Sequence, residues 1–152
     1  MQVSFYLLSD PPAELPATQN ELSSTPAHFA LACQLCADLY RAKQRVFVYT
    51  ADQKQAEAFD ELLWQFDAER FVPHNLSGEG PKYGAPVEIS WQAPRQNRQV
   101  LINLADTVPA FANRFSQIIE FVPATEHEKA QARDRFKHYR QLGVNPQTVH
   151  AE

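Results

Sequence analysis

Few residues in this chain have the types and spacing that chemistry requires. Cys33 and Cys36 make a CxxC pair, which serves redox chemistry when it sits at a helix N-terminus that stabilises the thiolate. Here the pair falls about two turns inside an expected helix, so it reads as two small apolar side chains on a half-buried face. The histidines at 28, 74, 127, 138 and 150 are dispersed and share no metal-ligand spacing with each other or with the cysteines. No metal or cofactor is expected. Gly78, Gly80 and Gly84 lie in GEGPKYG, inside the stretch FVPHNLSGEGPKYGAPVEISW that runs from Phe71 to Trp91. A phosphate loop needs backbone amides at a helix N-terminus, but a strand is expected after these glycines and Pro81 removes one amide. His74, in VPHN, has two readings, a base beside that loop or a residue that fixes the loop's hydrogen bonds. The enzymatic alternative is therefore a small α/β nucleotide-binding protein or hydrolase with its site near His74 and the 78–84 loop.

Length and composition narrow the classes further. The chain has 152 residues, 44% apolar and 21% charged, which fits one globular domain over 1–152 with a real core. A net charge of -4 and a pI near 5.7 give no global cationic field for nucleic acid, so any basic site must be local. The opening MQVSFYLLSD has no basic n-region, and no run approaches the length of a membrane span. A cytoplasmic location is expected.

The elements alternate. Val3 to Leu8 reads as a buried strand, the proline-rich segment from Ser9 to Ser24 as a loop, and Thr25 with Pro26 as the start of a helix that runs to Lys43. Arg45 to Tyr49 is a second strand, and Thr50 with Gln53 makes a capping box into a helix from Ala51 to Phe66. VEISW, Val100 to Leu104 and Gln117 to Val122 are further strands, with a short helix at Pro109 to Phe115. Thr125 and Glu128 cap the last helix, which Gly143 stops. Val144 to Glu152 reads as a partly flexible coil, docked through Val144 and Val149. Such β-α alternation predicts an α/β Rossmann-like sheet, mostly parallel and flanked by helices.

Two surfaces stand out. On the last helix Lys129, Arg133, Phe136, Lys137 and Arg140 fall within an arc of about 100°, a cationic stripe with an aromatic in its middle. One reading is a solvated face with Phe136 turned into the core; the other is a pocket for an acidic peptide that ends in an apolar residue or a free carboxylate. Direct binding of single-stranded DNA through this helix is a third. On the second helix Phe59, Leu62, Leu63 and Phe66 supply the buried face, and Trp64 does not fit that stripe. Trp64 and Phe71 then form an exposed aromatic patch suited to a partner, or else both pack inside.

FYLL near the start, KQAEAFDELLW, the 71–91 stretch, FANRFSQIIEFVP and ARDRFKHYRQLG occur in an order that resembles the chi subunit of bacterial DNA polymerase III over nearly the whole chain. The resemblance implies a non-catalytic accessory subunit with a Rossmann-like fold that binds no nucleotide. It implies two partners, the psi subunit and the acidic C-terminal tail of single-stranded DNA-binding protein, and so a link between clamp loader and coated lagging-strand template. By the same resemblance Trp64 and Phe71 correspond to the psi patch, which a YoaA-like helicase is thought to share. Val122, Arg133, Phe136, Lys137 and Arg140 correspond to the region that receives the tail. Phe136 stands where the family often has tyrosine, so a phenolic hydrogen bond is lost there. TVHAE departs from the family pattern, and nothing is carried over from it.

Overall fold

The computed structural model of the protein describes residues 2–7, 27–65, 74–76, 86–94, 98–123 and 126–150. Its seven strands are β1 (Gln2–Leu7), β2 (Val46–Tyr49), β3 (His74–Leu76), β4 (Val87–Ser90), β5 (Val100–Asn103), β6 (Gln117–Val122) and β7 (Gln147–His150). They form one sheet in the order β3-β4-β2-β5-β6-β1-β7, and every ladder is parallel. The expected α/β Rossmann-like class holds.

Parallel strands need covering on both faces, and the side chains alternate accordingly. Val46, Val48, Val100, Ile102, Ile119 and Phe121 point to one face and pack against α1 (Ala27–Arg41) and α2 (Gln53–Gln65). Val3, Phe5, Phe47, Leu101 and Ile118 point to the other, against α3 (Glu126–Gln141) and a 3-10 turn at Ala112–Arg114. The short helix expected at 109–115 is thus a single turn. Cys33 and Cys36 are buried and free in α1, and burial pushes both thiols up, Cys33 to about 12. The structural reading of the CxxC pair is the one observed.

Three local expectations are corrected. The segment after Gly143 is not all coil, because Gln147–His150 adds to β1 as a seventh strand, and of the two residues expected to dock it Val144 packs against the core while Val149 is exposed. The other edge strand, His74–Leu76, lies within the stretch read as a loop. The cap of α2 sits two residues later than Thr50 and Gln53: Asp52 Oδ1 accepts the Gln55 N–H at 2.8 Å, and Gln55 Oε1 accepts the Ala51 N–H at 3.1 Å. Asp52 gives the better start because an acidic side chain also suits the positive end of the helix dipole. Thr25, Thr125, Phe71 and the glycines at 78, 80 and 84 lie outside the described residues.

Two helices end in the same way. Gly143, at φ 87°, stops α3; its N–H bonds Arg140 O, and Val144 N–H reaches Tyr139 O at 3.1 Å. Lys43, at φ 62°, does this for α1, with Gln44 N–H on Leu39 O at 2.9 Å.

Candidate functional site

The cationic stripe of α3 borders a groove of about 320 Å³ between that helix and the sheet. Phe5, Leu7, Val122 and Thr148 form its sheet side, and Lys129, Ala132, Arg133 and Phe136 its helix side. Strand alternation explains the sheet side, since Phe5 and Leu7 on β1 face α3 together with Val122, the register partner of Leu7. Phe136 serves both readings of the sequence. Half-buried, its ring lies 5.3 Å from that of Phe5 while it also lines the groove. Lys129, half-buried, sits 3.9 Å from the exposed Glu126, a long and weak pair that does not tie up the lysine's charge. Arg133 is exposed at the rim. Lys137 and Arg140 are exposed on the following turns and do not line the groove; they extend the positive edge along the helix. Of the five residues singled out for this region, the structure therefore brings Val122, Arg133 and Phe136 to one cavity.

Phe5, Leu7 and Thr148 were not legible as site residues. The first two read as core, and Thr148 lay in the segment read as coil. Their signal is topological, since only the pairing of β1 with both β6 and β7 brings the three together.

Beneath α3 lies a second feature that the sequence did not indicate. Glu120 is fully buried and accepts from Arg135 Nε at 2.9 Å, Tyr139 Oη at 2.6 Å and Asn103 Nδ2 at 2.8 Å. Arg135 further donates to the carbonyls of Asp106 and Phe121, at 3.1 and 2.9 Å. Burial pushes the Glu120 carboxyl up against the opposing pull of Arg135 and the two neutral donors. Buried polar groups are tolerated when each has a partner, and a filled network fixes one arrangement of the elements that supply it. Here it sets the position of α3 on β5 and β6, and with it the width of the groove.

At the far end of the sheet Trp64 is 54% exposed, which selects the surface reading for this residue. Its ring lies 4.6 Å from that of His74, tilted by 56°. His74 is buried below it, with Nε2 at 3.3 Å from Asp60 O and 3.4 Å from Asp60 Oδ1. The histidine therefore supports α2 and the indole. The 78–84 loop, beside which the base and loop-fixing readings both place it, lies outside the described residues.

Comparison with known proteins agrees with this architecture. Bacteriophage T4 UvsW has a similar fold, with a TM-score of 0.62 and 11% identity over 98% of this chain and 41% of that one. Curated relatives share far more sequence. DNA polymerase III subunit chi of Escherichia coli is 45% identical over 121 residues, 78% of this chain and 82% of that protein. The chi subunits of Haemophilus influenzae and Pseudomonas aeruginosa are 46% and 35% identical, over 78% and 77% of this chain and 83% and 82% of their own lengths. The profile described as DNA polymerase III chi subunit, HolC, matches residues 1–147. With that match over nearly its whole length, the chain belongs to the family of DNA polymerase III chi subunits.

Proposed function

We propose that this chi subunit is a non-catalytic adaptor of the polymerase III holoenzyme, binding the acidic C-terminal tail of single-stranded DNA-binding protein in the α3 groove and the psi subunit at Trp64 and Phe71. It thereby ties the clamp loader to coated lagging-strand template. The observation that carries the proposal is the groove: an apolar floor of Phe5, Leu7, Val122 and Phe136 under the cations Lys129 and Arg133. An aspartate-rich tail that ends in phenylalanine has the complementary order, with its last ring on the floor and its free carboxylate beside Lys129 and Arg133. Upstream carboxylates then follow Lys137 and Arg140. Charge steering makes such an encounter fast and salt-sensitive, while the small footprint allows quick release.

The exposed Trp64 supports the psi assignment, because a large aromatic held out by His74 is the composition of an interface hot spot. The YoaA-like helicase enters through the same patch, as an alternative to psi.

Calorimetry with a tail peptide tests the groove. Arg133→Ala is expected to weaken the peptide by about 1.5 to 3 kcal/mol, the worth of a charge-assisted hydrogen bond. An unchanged affinity removes Arg133 from the site.

A further inference from the structure

We infer that β7 takes part in tail capture, with the acidic segment upstream of the terminal ring adding to the outer edge of β7 as a short parallel strand. The inference rests on the reading of the groove as the tail site, and goes beyond it in naming a main-chain partner.

The groove's sheet side steps outward across three strands, from Val122 on β6 to Phe5 and Leu7 on β1 and then to Thr148 on β7. It therefore opens at the edge of the sheet. β7 pairs with β1 on one side, and among the described residues no strand lies on the other. Its sequence, QTVH, holds no lysine, proline or acidic residue of the kind that commonly guards an open edge against pairing. Val149 is exposed there.

Charge points the same way. On α3, Arg135 and Tyr139 turn toward β5 and β6 through Asp106 and Glu120, while Phe136 turns to Phe5 on β1. Lys129 and Arg133 line the groove together with Thr148 of β7, and by helical spacing Arg140 continues their side toward the end of the helix, with Lys137 turned further to solvent. The helix joins the end of β6 to the start of β7 and thus runs against the strands. Lys129 accordingly lies toward the C-terminal ends of the strands and Arg140 toward their beginnings. A peptide with its terminal carboxylate at Lys129 and Arg133, and earlier acidic residues near Lys137 and Arg140, runs in the direction of β7. It can take main-chain hydrogen bonds from the edge, and every second side chain then faces the cations.

The test leaves the protein unaltered. A short synthetic peptide of aspartates and serines that ends in phenylalanine with a free carboxylate is titrated by calorimetry, alongside versions N-methylated at one backbone nitrogen each. Methylation at alternate upstream positions is expected to weaken binding about tenfold, by removing a donor and obstructing the edge, and the positions between them to have little effect. Moving the aspartates by one position within the peptide is expected to reproduce the alternation. Uniform tolerance of N-methylation with normal binding of the parent peptide overturns the strand addition and leaves the groove reading intact. Failure of the parent peptide to bind overturns both.

Discussion

The buried residues under α3 decide how firmly the binding face is held. Tyr139 Oη donates to Glu120 at 2.6 Å within a network in which each described side chain has a partner. Tyr139→Phe keeps the ring against Phe5 and deletes only that donor, at an expected cost of about 1.5 to 3 kcal/mol by urea denaturation. No loss would mean that Arg135 and Asn103 suffice to hold the carboxylate. The cysteines give a prediction with a pH sign. Cys33 is raised from its usual 9.0 to about 12, and Cys36 is also raised, each by burial first. Below about pH 9 folded and unfolded chains both keep these protons, so the thiols leave stability unchanged. Above it the unfolded chain ionises and the folded one does not, so their contribution to stability falls as pH rises from about 9 to about 12. Native protein at pH 8 is expected to resist a thiol-labelling reagent that modifies both cysteines once urea is added; fast labelling of the native state would contradict the burial.

At the scale of the element, the two helix ends make a matched pair with different residues. A non-glycine residue in the left-handed region costs about 1 to 2 kcal/mol, and Lys43 carries that strain at the end of α1 where α3 has Gly143. Lys43→Gly is expected to raise stability by about 0.5 to 1 kcal/mol, less than the relieved strain because glycine also loosens the unfolded chain. Gly143→Ala is expected to lower it by a similar amount, since an added Cβ meets nothing within 4 Å and only the backbone resists. A thermal melt of each variant separates the two signs. These helices and the longer strands were legible because local pattern determines them: β6 spans the expected Gln117 to Val122, and Gly143 stops α3 as its type suggests. The edge strands were not. His74–Leu76 and Gln147–His150 are three and four residues with no apolar alternation of their own, and each becomes a strand through the neighbour it pairs with. The cationic half of the groove could be read from helical spacing in α3. Its apolar half required the pairing of chain segments more than a hundred residues apart.

For the whole molecule the sheet order separates the two candidate surfaces. Trp64 stands beside β3 at one edge, and the groove opens at β7 on the other. Six inter-strand gaps lie between those edges, roughly 29 Å at the usual spacing, so the two proposed partners need not compete. Saturating psi is expected to leave the affinity for the tail peptide within about twofold, because no shared contact couples the two sites. Trp64→Ala is expected to abolish co-purification with psi while circular dichroism and tail binding stay unchanged; an unfolded variant would make Trp64 a core residue despite its exposure. The same strand order has a consequence for biosynthesis. β1 comes first in sequence, yet its two neighbours are β6 and β7, which begin at Gln117 and Gln147. During translation its apolar face, with Val3 and Phe5, waits for partners while most of the chain is made, and such long-range pairing is slow. The nascent polypeptide is thus expected to need shielding by a ribosome-associated chaperone, and β1, made well before its two partners, is among the last strands of the sheet to be protected from hydrogen exchange.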